Sequence, residues 1–170
     1  MPYTQRTIRH EEYNVSSNIE KRLAEIGVTL PPPGAPAGNY VPYVVVGDIA
    51  YMSGQVAREA GKMKYVGKVG ATLTVEEGAA AARLCAVNLL AQLKAACGGD
   101  LDRVERCVRL SGFVNSAPDF AEHPKVINGA SDLMVEVFGE RGQHARTALG
   151  VAALPLDSAV EVEAIFQLKR

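Results

Sequence analysis

The chain has 170 residues, 48% of them hydrophobic and 22% charged, with a formal net charge of −1. That length and apolar fraction suffice for a sizeable core and exclude a disordered chain, and the balanced charge removes any general electrostatic case for nucleic acid or an anionic membrane. The start, MPYTQRTIRHEEYN, has no apolar signal stretch, and no later run approaches bilayer-spanning length, so no membrane partner is expected.

Residues 1–15 are polar and aperiodic and read as a surface arm. Ser17 with Glu20 has the form of a capping box, Ile19, Leu23 and Ile26 form one stripe, and Gly27 is a stop, which predicts a helix from about Ser17 to Ile26. Pro31-Pro32-Pro33-Gly34-Ala35-Pro36 is a stiff, extended connector. The segment before it is too short for a core of its own, so 16–170 reads as a single domain carrying an added helix and connector at 16–37. Val41 to Val46 and Ile49 to Ser53 flank Gly47-Asp48 and predict a hairpin, with a third short strand around Met63 to Val66. Thr74 and Glu77 form a second capping box at the head of an Ala-rich helix that runs to about Cys97, where Gly98-Gly99 stops it. Val104 to Asn115 reads as a strand, and His123-Pro124 opens a further helix with Gly139 near its end. Cys85, Cys97 and Cys107 lack C-x-x-C spacing and fit reduced, buried thiols in a cytoplasmic protein. His10, His123 and His144 have no metal-ligand spacing, and His123 reads as a helix cap.

The stretch from Arg146 to Phe166, RTALGVAALPLDSAVEVEAIF, holds two runs of small and β-branched residues around Leu154-Pro155-Leu156-Asp157-Ser158. Pro and Asp supply turn chemistry, so a hairpin-like pair is expected, with Arg146 where its first strand begins. Val160, Val162 and Ala164 alternate with Glu161, Glu163 and Ile165. The arginine and the two carboxylates are where chemistry is sought; their structural alternatives are a solvated charge and the solvent face of an edge strand. A simple hairpin sets Arg146 opposite about residue 166 and displaces Glu161 by about five residues, roughly 17 Å along the strands. The two then share a small ligand only if the pairing is irregular or a neighbouring chain completes the site. The element order predicts an α+β fold, a mixed sheet with two helices on one face. Val44, Val46, Met52, Phe113 and Leu149 crowd the other face, which implies cover by another subunit.

GNYVPYVVVGDIAYMSGQ at 38–55, the helix bearing Asn88, FVNSAPDFA at 113–121 and HARTALGVAALPLDSAVEVEAIF at 144–166 resemble the Rid family, also called YjgF, whose older labels are endoribonuclease and translation inhibitor. The resemblance spans roughly Ser16 to Arg170, and the N-terminal helix with its proline connector is similar to a longer-chain branch of the family. It implies a chorismate-mutase-like fold of the bacillary type, a homotrimer, ligand clefts between subunits, and no metal or cofactor. It also implies that Arg146, in Ala145-Arg146-Thr147, binds the carboxylate of a 2-imino acid, a task that suits a planar, permanently charged guanidinium. Glu161 would orient the attacking water. Tyr40, Gly54 and Asn128 would contribute to substrate binding, Asn128 only across a short insertion. Tyr40 as a packed aromatic and Asn128 as a local backbone partner near a helix start are the structural alternatives. Three departures bear on substrate identity: Ala148 stands where the family's archetype has a reactive cysteine, Gly38-Asn39-Tyr40 replaces glycine-proline-tyrosine, and the stretch between Asp119 and Asn128 is longer. Three functions stay in view. One is hydrolytic deamination of reactive 2-imino or enamine acids to 2-keto acids and ammonia; the second is non-catalytic capture of small carboxylates by a trimeric module. The third is ribonuclease activity, against which the balanced charge argues.

Overall fold

The computed structural model describes residues 17–36 and 38–170, so the arm expected over 1–15 lies outside the described residues. The elements, in order, are helix α1 (Asn18–Glu25), strands β1 (Tyr43–Val46), β2 (Ile49–Val56), β3 (Arg58–Glu59) and β4 (Lys62–Met63), helix α2 (Val75–Ala96), strand β5 (Val104–Asn115), helix α3 (His123–Phe138), and strands β6 (Ala145–Val151) and β7 (Val160–Leu168). No described helix is long and apolar enough to cross a membrane.

Both predicted helix starts carry their caps. Ser17 Oγ accepts from the Glu20 N–H, and at α2 the box is complete, with Thr74 Oγ1 accepting from Glu77 N and the Glu77 carboxylate from Thr74 N. α1 is tied down as well as capped: the N–H groups of Asn18 and Ile19 donate to Asp102 at 2.8 and 3.0 Å, and Arg22 Nε donates to the Glu136 carbonyl of α3. The proline connector, which offers few backbone donors, lies on α2 where Gln92 Nε2 donates to the Gly34 carbonyl. His123 does not cap α3. Glu122 holds that position without a side-chain hydrogen bond, and His123 Nε2 is 3.1 Å from Ser116 Oγ, because Pro124 already occupies the first turn.

Five strands form the main sheet, in the order β1-β2-β7-β5-β6, with only β5 and β6 parallel. The chain moves from β2 through α2 to β5 and from β5 through α3 to β6, always in the same direction across the sheet. Crossovers of one hand taken in one direction put both helices on the same face. The Ala-rich composition then lets α2 and α3 meet closely: a Cβ on Gly129 would fall 1.9 Å from the carbonyl oxygen of Ala79. Leu89, Leu110, Ile127 and Phe166 are fully buried between these helices and the sheet. The three cysteines are free and buried there too; burial pushes the Cys97 thiol up to about 11 and the Cys107 thiol up to about 12.

Three further expectations are overturned. The run 146–166 is not a hairpin: β5 lies between β6 and β7, parallel to one and antiparallel to the other. The connection therefore steps over the end of β5, with Leu156 and Asp157 both at φ 56. It is held there by Lys68 Nζ, which donates to Asn115 Oδ1 (2.6 Å) and the Ala152 carbonyl (2.8 Å), and by Asn115 Nδ2, which donates to Asp157 Oδ1 (2.9 Å). The strand expected at Met63 to Val66 ends at Met63, where it pairs with β3, because Tyr65 adopts a positive φ that breaks the extended run; Val66 makes an isolated antiparallel bridge to Ser158. Met52 is not on the open face. It pairs with Ala164 and is 5% exposed beneath the helices, whereas Val46 is 62% and Leu149 52% exposed on the open side. Val44, Tyr51, Ile165 and Arg109 share one row of that open face.

Candidate functional site

Two groups of polar side chains stand apart on the sheet, one on the edge strand β6 and one around the central strand β7. The first belongs to β6. Pairing with Leu110 puts Arg146 on the helix side of the sheet, where its guanidinium meets α3. Nη1 donates to Asn128 Oδ1 at 2.8 Å and to Ser131 Oγ at 3.1 Å. Three residues apart on a helix, these acceptors share one face. Nη1 has only two hydrogens, so it is saturated. Among the described residues Nη2 and Nε make no hydrogen bond, and Arg146 is exposed. The arginine is thus held from behind while the Nε–Nη2 edge, which presents two parallel N–H groups, stays open. Asn128 is no local backbone partner; its carbonyl oxygen faces Arg146.

The second group surrounds Glu161 on β7. Glu161 alternates with Val160 and Val162, which the helices bury, so it points to the open face, in register with Phe113 on one side and Val56 on the other. A β-bulge between Met52 and Gln55 brings Gly54 beneath it: a Cβ on Gly54 would lie 2.0 Å from Glu161 Oε1. The missing side chain at 54 is what lets the carboxylate rest against the β2 backbone. Partial burial, then the charge of Glu163, raises the Glu161 carboxyl above the ordinary glutamate range. Tyr40 is exposed just ahead of β1, and its segment is fastened to the bulge by Ser53, whose N–H donates to the Pro42 carbonyl (2.9 Å) and whose Oγ donates to that of Val41 (2.7 Å).

Tyr40, Gly54 and Glu161 therefore gather at one end of the sheet, Arg146 and Asn128 at the other. Arg146 shares a row with Leu110 and Ala164; Glu161 is three residues from Ala164, two strands away from Arg146, and on the other face. Their backbones are separated by roughly 14 Å, so one chain does not present both to one small ligand. Between them, on the open face, lies a depression of about 350 Å³ lined by Tyr51, Arg109, Ser111, Glu163 and Ile165. Arg109 Nη2 there donates to Thr147 Oγ1 at 2.8 Å. Sequence reading passes over two residues that the structure attaches to the arginine: Ser131, and behind it His144. Their signals were a three-residue helical step from Asn128 and a two-residue strand step from Arg146.

A mixed five-stranded sheet with two helices on one face and a third beside them is the architecture of a chorismate-mutase-like α+β protein. A sequence model described as "YjgF/chorismate mutase-like, putative endoribonuclease" matches residues 20–168, and the chain belongs to this YjgF family. Protein TCP17 of Trypanosoma cruzi is 50% identical over 154 residues, covering 90% of this chain and 96% of that one. Among solved structures, a protein of unknown function from Agrobacterium tumefaciens, Atu1372, superposes with a TM-score of 0.84 at 48% identity, over 89% of this chain and 92% of the other. A "putative endoribonuclease" from Shewanella oneidensis gives a TM-score of 0.85 at 44% identity, over 88% of this chain and 99% of the other.

Proposed function

We propose that this protein hydrolyses reactive 2-imino acids to 2-keto acids and ammonia, in clefts between the subunits of a homotrimer. The observation that carries the reading is the guanidinium of Arg146, fixed by α3 through Nη1 and offering Nε and Nη2 to a planar carboxylate. Asn128 holds that arginine and lines the same edge. Glu161 of an adjacent chain supplies the base. Its carboxylate takes a proton from the attacking water as the water oxygen bonds to the imine carbon and returns it to nitrogen, giving the tetrahedral carbinolamine; the hydroxyl proton then passes by the same carboxylate to the amino nitrogen as the C–O double bond forms and the C–N bond breaks, releasing ammonia and the 2-keto acid. A carboxylate whose acid is pushed upward by burial is a stronger base than an exposed one and takes that proton from water more readily. Tyr40 and Gly54, at the Glu161 end, wall the cleft.

The placement of the two halves supports assembly. They lie about 14 Å apart on opposite faces of one chain, and a rotational, head-to-tail interface brings the Glu161 end of one subunit to the Arg146 edge of the next. The exposed apolar row on the open face needs such cover. A second reading, a trimeric module that binds small carboxylates without turnover, is favoured by the completeness of the Arg146 half within a single chain. The word endoribonuclease in the family's description is not carried over, because a net charge of −1 gives a polyanion no general attraction.

The test is ammonia-linked keto-acid release from imino acids generated in situ by an amino-acid oxidase. Wild type should accelerate release and Arg146→Ala should not. Glu161→Gln should retain carboxylate binding and lose turnover; full turnover in that variant removes Glu161 from the mechanism. Binding without acceleration on any side chain selects the non-catalytic module.

A further inference from the structure

His144 and Ser131 form a chain of hydrogen bonds that ends on Arg146. His144 Nδ1 lies 2.6 Å from the Gly142 carbonyl oxygen, His144 Nε2 lies 3.0 Å from Ser131 Oγ, and Ser131 Oγ accepts from Arg146 Nη1 at 3.1 Å. With the imidazole neutral, the two ends fix the direction of every bond between them. A carbonyl only accepts, so Nδ1 carries a proton and donates. A guanidinium only donates, so Ser131 presents a lone pair to Arg146, and its own hydroxyl proton is available for Nε2. The serine proton has one destination and its oxygen one incoming donor. Without the imidazole, that hydroxyl is free to turn toward a carbonyl of the preceding turn of α3, as helical serines do, and its lone pairs turn away from Arg146.

The far end of the chain is rigid. Gly142 is buried against α3 so closely that a Cβ would fall 2.1 Å from the Met134 carbonyl oxygen. Its carbonyl is thereby placed by backbone packing, with no flexible side chain intervening. Histidine two residues before the arginine and serine three residues after Asn128 thus make one device out of the start of β6 and one face of α3.

We propose that His144 is a positioning residue for Arg146: protonated on Nδ1, it polarises Ser131 so that Nη1 is locked and the Nε–Nη2 edge is aimed at the substrate carboxylate. This rests on the carboxylate-binding role given to Arg146 above. It predicts the Nδ1–H tautomer, which free neutral histidine disfavours.

Two measurements on the full chain test it, one of which needs no ligand. In ¹⁵N NMR, the imidazole of His144 should report the Nδ1–H tautomer, and the Arg146 Nη1 and Nη2 signals should be separately resolved because rotation about the guanidinium bonds is hindered. In His144→Phe, which keeps the ring volume and removes the acceptor, those signals should merge. Affinity for 2-oxobutanoate, measured calorimetrically, should fall about tenfold in His144→Phe and in Ser131→Ala, the loss of one hydrogen bond to a charged group. The double variant should bind no more weakly than Ser131→Ala alone, and His144→Gln, which restores an acceptor, should recover most of the affinity. An Nε2–H tautomer, resolved signals that survive in His144→Phe, or losses that add in the double variant overturn the proposal. If wild type binds no 2-oxobutanoate, the carboxylate role of Arg146 falls. The guanidinium signals then decide by themselves whether His144 positions it.

Discussion

Gly54→Ala isolates the placement of Glu161 from its chemistry. The new methyl would sit 2.0 Å from Oε1, 2.9 Å from Cδ and 3.1 Å from Cγ of Glu161, and the nearest of these is the free end of a flexible side chain. The fold can accommodate the methyl by swinging the carboxylate away, which requires Oε1 to retreat from 2.0 Å by at least about 1.4 Å to reach ordinary contact distance. A misplacement of ~1 Å at a reacting group costs about a hundredfold in rate. If the proposed function holds, steady-state imine hydrolysis by Gly54→Ala is therefore expected to show kcat reduced about a hundredfold and KM changed less than threefold, since Arg146, the proposed carboxylate-binding residue, lies elsewhere. The melting temperature should stay within about 4 °C of wild type, a change of about 1 kcal/mol. Undiminished kcat would refute the argument that Glu161 acts from its observed position on the β2 bulge.

Glu161→Gln also tests the electrostatics. Its carboxyl is raised in the folded chain, so protonation favours folding below the ordinary glutamate range, and that contribution is lost as pH rises through the raised value. The glutamine variant should melt higher than wild type at pH 7.5, with the gain disappearing near pH 4; an equal gain at both would show that the charge is not the cause. Gly129→Ala drives a methyl to 1.9 Å from the Ala79 backbone oxygen, which no rotamer relieves, so α2 and α3 must separate. A loss of about 3 kcal/mol, or about 10 °C, is expected by thermal melting, and a shift under 2 °C would show that the helices adjust freely. Leu149→Lys places a charge on the open face and should reduce the mass measured by light scattering to that of one chain; an unchanged mass would exclude Leu149 from the subunit interface.

Local signals in the sequence were sound because their causes are local. Ser17, Thr74 and Glu77 cap helices through atoms three residues away, and Gly47-Asp48 turns a hairpin within four residues. The alternation of Val160, Val162 and Ala164 with Glu161 correctly gave the two faces of β7. The neighbour of each strand is another matter. β6 and β7 have the same side-chain period whether they pair with each other or each with β5, so nothing in 146–166 discloses the strand between them. Met52 was misplaced for a related reason: an apolar residue suits either side of a sheet whose two faces are both apolar. Arg146 and Glu161 are candidates by residue type and by family resemblance, and the sheet separates them through β5 rather than through the hairpin register expected for 146–166. Ser131 and His144 stayed hidden because a three-residue step from Asn128 and a two-residue step from Arg146 gain meaning only once α3 is packed beside the start of β6.

The strand order also governs when this chain can complete its sheet. β7, which follows every other element in sequence, fills the slot between β2 and β5 and is paired along both of its edges. Without β7, β1–β2 and β5–β6 share no pairing in the main sheet, so each ribbon is left with an unpaired rim. Every registered pair between β7 and its two neighbours joins residues at least 46 positions apart, a topology that favours slow closure. A nascent chain of this design spends its synthesis with an open β-edge at its centre, where pairing with another chain competes with the arrival of its own last strand.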